Sequence, residues 1–410
     1  MKVIIVVGAR PNFMKAAPIL RAIADANNHG AAIKPVLVHT GQHYDTVMSD
    51  AFFTDLSLPK PDVHLGIGSA SHAIQTAKIM RQFEGVLEDQ RPDVVIVVGD
   101  VNSTVACALV TAKVSFDAQG SRPLLAHVEA GLRSFDRTMP EECNRIVTDH
   151  LSDLLFVTEE SGLHNLSHEG IPPDRVFLVG NTMIDSLLSC EQRAEQSSIL
   201  DDLKLAASMG DGSSNTKPYL LLTLHRPANV DNHDAFIEIL EGLKGAADGQ
   251  AIIFPAHPRT QKKIQQHKLD SYFSLRTSSP QKERGGNGVT TIDPLGYLDF
   301  LCLMKHAALV VTDSGGIQEE TTCLGVPCVT VRNNTERPIT LTAGTNVLGG
   351  TQRDTIRAAI RHQLQRTHHR SFPERWDGKA GARIVEILVE QQLGRNVDFQ
   401  NPVPAVYALT

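Results

Sequence analysis

Short runs of apolar residues alternate with longer stretches of helical character along most of the chain. Rich in Val, Ile and Leu, the runs are 3–7, 36–40, 94–99, 124–128, 154–157, 176–179, 219–224, 251–254, 309–312 and 327–331. Continuous apolar runs of this length are typical of strands that are covered on both faces. The alternation therefore predicts an α/β protein with parallel sheets flanked by helices.

The chain has 410 residues, which is too long for one hydrophobic core. Six of the runs precede Asn181 and the others follow it, which predicts two Rossmann-like domains with a boundary near 181–190. An amphipathic stretch at 381–390 is expected to cross back onto the first domain. We thus predict one domain of residues 1–184 plus about 374–392, a second of 185–373, and a tail of 393–410. The polar stretches 209–218 and 283–288 are predicted loops.

Composition narrows the class of partner. The net charge of −7 gives no support for nucleic-acid binding, so any anionic ligand must be held by local basic residues. The six cysteines are scattered without a C-x-x-C pair, which favours reduced thiols and no metal site. No signal-peptide pattern opens the chain, and no apolar run approaches the ~20 residues that span a bilayer. The sequence predicts a cytoplasmic protein without a membrane or nucleic-acid partner.

Charged and polar residues follow seven of the runs directly. They are Arg10 and Lys15, Gln42 and His43, Asp100, Glu129, His225 and Arg226, His257, and Asp313. Open α/β sheets bind their ligands at the carboxyl ends of the strands, and two facing sheets would direct these residues into one interdomain cleft. One such residue would more often be a cap or turn residue, but their number favours a binding site.

The densest concentration of charge lies between residues 127 and 145, where a predicted strand passes into a predicted helix. Glu129 ends the strand, and Glu141 and Glu142 open the helix. The sequence fits a purely structural role for these carboxylates as well as a role in a binding or catalytic site. Thr138 and Glu141 fit a capping box, and Glu142 can pair with Arg145 one turn later for only ~0.2–0.5 kcal/mol.

A second candidate is the segment Ser314-Gly-Gly-Ile-Gln-Glu-Glu320. Two glycines before a helix allow close approach of the backbone, and the helix N-terminus favours an anion such as phosphate. Glu320 could then reach a ribose diol, although a plain tight turn explains the glycines as well. Neither G-x-G-x-x-G after the first strand nor G-x-x-x-x-G-K-[ST] occurs, which disfavours a nicotinamide cofactor or a kinase-type ATP site.

These motifs resemble the non-hydrolysing UDP-N-acetylglucosamine 2-epimerases, a family with two domains in a GT-B-like arrangement. The resemblance runs in collinear order from about residue 1 to 390. The matching stretches are Val7-Gly-Ala-Arg-Pro11 with Lys15, His39-Thr-Gly-Gln-His-Tyr-Asp45, Gly99-Asp100, His127-Val-Glu-Ala-Gly-Leu-Arg133, Met139-Pro-Glu-Glu142 with Asn144-Arg145, Gly180-Asn181, His225-Arg226, Thr312-Asp-Ser-Gly-Gly-Ile-Gln-Glu-Glu320, Thr335-Glu-Arg-Pro338 and Ala343-Gly344.

The resemblance implies a role for each matching residue. It implies four catalytic residues: Asp100, Glu129, Glu141 and His225. It implies substrate contacts from Arg10, Lys15, Arg133, Arg145, His257, Phe300, Ser314, Gly315, Gly316 and Glu320, with Phe300 stacking near the uracil. The expected substrate is a UDP-sugar, the expected assembly is a homodimer, and no cofactor is expected.

Two motifs depart from the family members that are activated by their own substrate. Those members tend to carry an A-Q-H-R-type motif where this chain has Thr40-Gly-Gln-His-Tyr44, and H-R-R-E where it has His225-Arg-Pro-Ala228. We therefore predict no activation by substrate. The form seen here resembles relatives that act on UDP-N-acetylglucosamine and on modified UDP-sugars.

The implied chemistry agrees with the missing cofactor motif. The C2 hydrogen of an N-acetylhexosamine does not lie next to a carbonyl, so its direct abstraction is very hard. Departure of UDP from C1 acidifies C2–H, and loss of that proton gives a glycal without a redox cofactor. Such a route needs cations on the diphosphate and carboxylates on both faces of the sugar.

Three other functions fit the same sequence. A retaining glycosyltransferase would also hold a nucleotide diphosphate, but no feature marks an acceptor site. A hydrolysing epimerase would release N-acetylmannosamine and UDP. An inactive sugar-nucleotide sensor is disfavoured by the intact set of three carboxylates and His225.

Overall fold

Two parallel seven-stranded sheets form the framework of the molecule. The structure is a computed structural model that describes residues 1–42, 52–208, 214–275 and 288–392. The first sheet has the strand order β3-β2-β1-β4-β5-β6-β7 and the second β12-β13-β11-β10-β14-β15-β16. The strands are β1 Lys2–Val7, β2 Lys34–His39, β3 Val63–His64, β4 Val94–Val98, β5 Leu124–Ala130, β6 Leu154–Val157, β7 Val176–Leu178, β8 Ala206–Ser208, β9 Ser214–Thr216, β10 Tyr219–Thr223, β11 Ala251–Pro255, β12 Phe273–Leu275, β13 Val289–Ile292, β14 Leu309–Thr312, β15 Cys328–Thr330 and β16 Asn346–Leu348. The predicted α/β class with two parallel sheets is confirmed.

Helices cover both faces of the sheets. Besides the helical residues 52–55, the α-helices of the described ranges are α1 Arg10–Asn28, α2 His72–Gln90, α3 Asn102–Lys113, α4 Pro140–Leu151, α5 Glu160–His168, α6 Thr182–Ala194, α7 Ile199–Asp202, α8 Pro227–Val230, α9 His233–Lys244, α10 Pro258–Gln266, α11 Tyr297–Lys305, α12 Gly315–Leu324, α13 Ile339–Thr342, α14 Arg353–Leu364 and α15 Ala380–Gln392.

Successive residues of the central strands lie in different cores, which explains why the strands are apolar throughout. Val3 and Ile5 of β1 belong to one cluster of buried side chains, whereas Ile4 and Val6 belong to another on the opposite face. Side chains alternate between the faces of a strand, so a strand covered on both sides needs an apolar residue at every position.

Several short strands were not predicted from the sequence. β3, β12, β13 and β16 lie at or near the edges of the sheets and have two to four residues each. The predicted loop at 209–218 is wrong in part, because Ser214–Thr216 forms a strand that pairs antiparallel with Ala206–Ser208. Residues 209–213 and 283–287 of the two predicted loops lie outside the described residues.

The last described helix, α15, lies beside the first helix of the chain, and its assignment to the first domain stays a prediction. α15 packs against α1, and Asp185 accepts hydrogen bonds from the amides of Ala380 (3.2 Å) and Gly381 (2.8 Å). A side chain at Gly381 would place its Cβ 2.7 Å from the carbonyl oxygen of Pro18, so glycine permits the close packing of the two helices.

α6 carries the chain from one sheet to the other. It contacts α1 beside the first sheet and α11 beside the second. The domain boundary at 184 and 185 lies inside this helix, and it stays a prediction; the tail 393–410 lies outside the described residues. Of the helices that the structure describes, none is long and apolar enough to cross a membrane.

Candidate active site

Glu129 lies at the carboxyl end of β5 in a conformation that side chains rarely adopt. Its φ is 76°, and the register between β5 and β6 shifts between Val128 and Ala130. Its carboxylate is 4% exposed and forms ion pairs with Lys15 and with Arg337 Nη2, the latter at 2.6 Å. The kink therefore directs a carboxylate out of the sheet and between two cations.

Lys15 is placed by the start of α1. The helix begins at Arg10, and Asn12 Oδ1 accepts hydrogen bonds from the amides of Gly8 and Ala9, both at 3.0 Å. The Asn12 side chain also donates to the carbonyl of Val98 at the end of β4 (3.0 Å). Lys15 lies one turn further along this anchored helix, which explains how a buried ammonium reaches Glu129.

Asp100 follows β4 and faces the start of α4. Arg145 Nη1 donates to its Oδ2 at 2.5 Å, and Asn144 donates to its backbone carbonyl at 2.8 Å. Burial opposes the charge of Asp100, but Arg145, Lys15 and Arg337 more than offset burial and hold the pKa of the carboxyl below its ordinary value. Asp100 and Glu129 therefore share the cations Lys15 and Arg337.

Glu141 and Glu142 have different surroundings. The N-cap of α4 is Met139, which forms no side-chain cap, so the capping-box interpretation of Glu141 is wrong. Glu142 accepts hydrogen bonds from the amides of Ser134 (2.9 Å) and Phe135 (2.8 Å) and pairs with Arg145 at 2.5 Å, which confirms its structural interpretation.

Glu141 is partly exposed on the same helix turn. It has no hydrogen bond or ion pair to a described residue, and it interacts electrostatically with Arg226. Arg226 lies next to His225 after β10, so the charge of Glu141 acts on a cation that follows a strand of the second sheet.

His225 is held by a buried carboxylate. Its Nδ1 lies 2.8 Å from Asp313 Oδ1, and Asp313 also accepts hydrogen bonds from the amides of His225 (3.1 Å) and Arg226 (2.9 Å). The His225 side chain is 62% exposed, and Nε2 has no hydrogen bond to a described residue. The arrangement fixes the ring while leaving one nitrogen for a ligand.

Arg337 joins the two sheets and was not predicted as a site residue. Its guanidinium lies 2.6 Å from Glu129, 2.7 Å from Glu336 and 3.0 Å from Glu319, and every member of this group is buried. Burial raises the pKa of Glu319 to about 8, although Arg337 lowers it. The signal in the sequence was the charged pair Glu336 and Arg337 shortly after β15.

The glycines after Ser314 lie close to side chains of the protein itself. A Cβ at Gly315 would lie 2.5 Å from Arg337 Nη1, and a Cβ at Gly316 would lie 2.7 Å from Met183 Cε. The sequence predicted that these glycines let the backbone approach a ligand. The groups that lie close to them in the structure are side chains of Arg337 and Met183. Ser314 is the N-cap of α12 and forms no side-chain cap, so the helix start remains a candidate phosphate site.

The remaining predicted substrate contacts are spread around the same sheet ends. Arg10 opens α1, and its guanidinium lies 5.9 Å from the ring centre of Phe52. His257 is the N-cap of α10, where Nδ1 accepts from the Arg259 amide at 3.3 Å. Phe300 lies partly buried on α11.

Arg133 and Arg145 are both buried against carboxylates of the fold. Arg133 pairs with Asp149 and Glu169 at 2.7 Å each, and its side chain is 1% exposed. Arg145 pairs with Asp100 and Glu142, and its side chain is 2% exposed. These pairs fix both guanidinium groups in place, and their contact with substrate stays a prediction.

Comparison with known proteins identifies the family. The model of the family described as UDP-N-acetylglucosamine 2-epimerase matches residues 25–389, which is most of the chain. The chain belongs to the UDP-N-acetylglucosamine 2-epimerase family.

Individual members of the family match over nearly their whole length. The UDP-N-acetylglucosamine 2-epimerase of Methanocaldococcus jannaschii is 41% identical over 95% of this chain and 99% of its own length. Its crystal structure in complex with UDP-GlcNAc and UDP matches with a TM-score of 0.81 at 40% identity, covering 95% and 99% of the two chains. The UDP-2,3-diacetamido-2,3-dideoxy-D-glucuronate 2-epimerase of Pseudomonas aeruginosa is 37% identical over 95% of this chain and all of its own. The expected two-domain GT-B-like architecture is confirmed by these likenesses.

Within the described part of this family member, no group of three or more His, Cys, Asp or Glu residues is arranged to hold a metal ion. The charged groups at the sheet ends are matched to one another: Glu129 and Asp100 lie against Lys15, Arg145 and Arg337. His43 and Tyr44 of the predicted regulatory motif lie outside the described residues.

Glu320 gives a pH-dependent prediction. Burial raises its pKa from an ordinary 4.5 to about 7, although the Tyr297 hydroxyl donates to it at 2.8 Å. Because the pKa of Glu320 is raised in the folded state, the contribution of this group to stability is greatest below pH 4.5 and is lost as the pH rises through about 7. Without ligand, Glu320→Gln should therefore be more stable than the wild type at pH 8, by about 3 kcal/mol at ~1.4 kcal/mol per pKa unit, with a much smaller gain at pH 5.

Urea unfolding at pH 5 and pH 8 measures this difference. Glu142→Gln is the opposite control, because hydrogen bonds and Arg145 lower the pKa of Glu142 against the effect of burial. The stabilising charge of Glu142 is present above pH 4.5 and is lost as the pH falls below that value. Glu142→Gln lacks this charge, so it should be less stable than the wild type at pH 8. A Glu320→Gln variant that is also less stable at pH 8 would contradict the assignment.

Proposed function

We propose that the protein interconverts UDP-N-acetylglucosamine and UDP-N-acetylmannosamine by inversion at C2, without net hydrolysis. The family supports epimerisation at C2 of a UDP-sugar. The M. jannaschii structure contains UDP-GlcNAc and UDP, the two species that a reaction through released UDP requires. For the location and the assembly, a cytoplasmic homodimer is our proposal.

The observation that carries the proposal is the grouping of carboxylates with cations from both sheets. Asp100 follows β4 and Glu129 lies at the carboxyl end of the neighbouring strand β5 of the first sheet, and Arg337 comes from a loop of the second. Glu141 interacts with Arg226, which follows β10. Acid–base work on one sugar needs carboxylates of this kind at the same place as cations for a diphosphate.

The reaction that fits these groups has two half-reactions. The C1–O bond breaks with its electron pair leaving on UDP, and a carboxylate removes the C2 proton, which gives a 2-acetamidoglycal. In the second half, a protonated group returns a proton to the other face of C2, and the UDP oxygen attacks C1. No electron is transferred in either half, and the proton and UDP are both returned.

The roles of the residues follow from their positions. We assign the diphosphate to Arg10, Lys15, His225 and the amides at Ser314–Gly316. Fixed cations and backbone dipoles stabilise the charge that develops on departing UDP without reorganising at that moment. We assign proton removal and return to Asp100, Glu129 and Glu141, without assigning a face to each.

The experiment below also distinguishes two alternatives, a different UDP-sugar as substrate and free N-acetylmannosamine as product. A relative that is 37% identical acts, by its name, on UDP-2,3-diacetamido-2,3-dideoxy-D-glucuronate. A hydrolysing epimerase would produce free N-acetylmannosamine from the same intermediate if water replaced UDP.

Product analysis by proton NMR tests the proposal. The protein is incubated separately with UDP-N-acetylglucosamine and with the diacetamido-glucuronate derivative. We expect UDP-N-acetylglucosamine to give the UDP-linked manno epimer. When the manno epimer alone is supplied, the reverse reaction should start without a lag. Free N-acetylmannosamine would overturn the non-hydrolysing assignment, and turnover of the glucuronate alone would overturn the substrate.

A further inference from the structure

A buried carboxylate of α4, Asp149, contacts residues on both sides of Glu129. Its Oδ1 lies 2.6 Å from Nδ1 of His127, two residues before Glu129. Its Oδ2 accepts a hydrogen bond from the amide of Gly131, two residues after, at 3.1 Å. Arg133 Nη2 lies 2.7 Å from the same oxygen, and Asp149 and His127 are both 0% exposed.

His127 extends this contact to the other strand of the site. Its Nε2 lies 2.8 Å from the carbonyl oxygen of Gly99, the residue before Asp100. Gly99 has φ of 68°, so the chain turns sharply at this point to present Asp100. One imidazole ring thus bridges the turn that carries Asp100 and the strand that carries Glu129.

The hydrogen bonds define the charge on the ring. A carbonyl oxygen and an ionised carboxylate only accept hydrogen bonds, so with Asp149 ionised both Nε2 and Nδ1 donate, and the ring carries a charge that Asp149 matches. Burial raises the pKa of Asp149, but His127 and Arg133 more than offset burial and hold it below its ordinary value.

Glu129 needs such support. A non-glycine residue in the left-handed region persists only where its surroundings fix it. Lys15 and Arg337 hold its side chain, whereas Asp149 holds the His127 ring and the backbone amide of Gly131 on either side of it.

We infer that His127 and Asp149 are positioning residues, a buried imidazolium–carboxylate pair that fixes the backbones of Asp100 and Glu129 together. The inference rests on the proposed function for its kinetic test. Neither residue is assigned a contact with substrate, so the pair acts through the placement of the two carboxylates.

Asp149→Asn tests the pair, with Asp153→Asn as the matched control. Asp153 follows the same helix and binds the other end of β5, where it accepts from the Leu125 amide at 2.8 Å and pairs with Arg122 at 2.7 Å. Both substitutions remove a carboxylate that joins the end of α4 to β5. Displacement of reacting groups by about 1 Å can cost 10²-fold in rate, so Asp149→Asn should lose roughly that much kcat. Its KM and UDP affinity should stay within a few-fold of wild type, and Asp153→Asn should keep wild-type kcat.

His127→Gln serves as the second variant, because its amide retains a donor while the charge is lost; it should also lose kcat with little change in KM. Equal kcat in wild type, Asp149→Asn and His127→Gln would overturn the inference, as would an equal loss in Asp153→Asn.

The protonation state is tested without kinetics. Nitrogen-15 NMR of the histidine side chains in the wild type at pH 7.5 should show a ring with both nitrogens protonated, and this signal should be absent from His127→Gln. A neutral His127 ring would overturn the pair. Failure of the proposed function is distinguishable, because it appears as a wild type that forms no epimer while the NMR result stands.

Discussion

Glu141→Gln should lower turnover by about 10²–10⁴-fold, the contribution that general acid–base catalysis typically makes. The amide keeps the shape of the side chain but can neither remove nor return a proton. Glu141 makes no ion pair or hydrogen bond to a described residue, so its replacement should leave the melting temperature and UDP affinity close to wild type. Steady-state kinetics, thermal unfolding and calorimetry with UDP measure the three quantities.

Glu160→Gln is the control for this variant. Glu160 also lies in the first turn of a helix, on the exposed side of α5, and interaction with the helix dipole is worth only ~0.3–1 kcal/mol there. The control should retain full turnover. If Glu141→Gln also retained it, Glu141 would be an ordinary residue of a helix N-terminus.

Arg337→Gln should destabilise the protein by about 3–5 kcal/mol, as removal of one partner from a buried ion pair does. Glu129 and Glu336 would each lose a contact of 2.6–2.7 Å while remaining buried, and a bridge between the two sheets would be lost. Urea unfolding of the protein without ligand measures the cost. Activity should fall as well, because Glu129 would no longer be held from that side.

Arg353→Gln is the matched control, since Arg353 forms a close pair with Glu238 at the surface, with its side chain 46% exposed. Exposed pairs are typically worth at most about 1 kcal/mol. A similar small cost for Arg337→Gln would show that the buried network does not join the two halves.

The sequence predicts the sheets well where the strands are buried. Residues 94–99 are apolar at consecutive positions because Val95 and Ile96 of β4 lie in different cores. Val63–His64 has two residues at the edge of its sheet, too few for any periodicity to be recognised. Composition and pattern thus predict strands that lie in mostly apolar runs and miss short strands that mix apolar and polar residues, such as Val63–His64 and Val289–Ile292.

Position along a strand predicts where a charged residue lies, but not what it contacts. Glu129 could be placed at the carboxyl end of a strand from the sequence alone. Its partner Arg337 is 208 residues away and reaches it only because the two sheets pack together. The resemblance implies that Arg133 and Arg145 contact substrate, but the sequence does not show their protein partners. Packing places each against buried carboxylates, among them Asp149 and Glu142 of α4.

The fate of the C2 hydrogen tests the central claim most directly. UDP-N-acetylglucosamine is incubated with the wild-type protein in D2O, and the C2 proton of both UDP-sugars is followed by NMR. Removal and return of a proton by carboxylates that exchange with solvent predicts manno epimer with deuterium at C2, and deuterium entering recovered substrate as the reaction reverses. UDP-linked epimer that retains its C2 proton in full would contradict the account, because inversion would then proceed without exchange at C2.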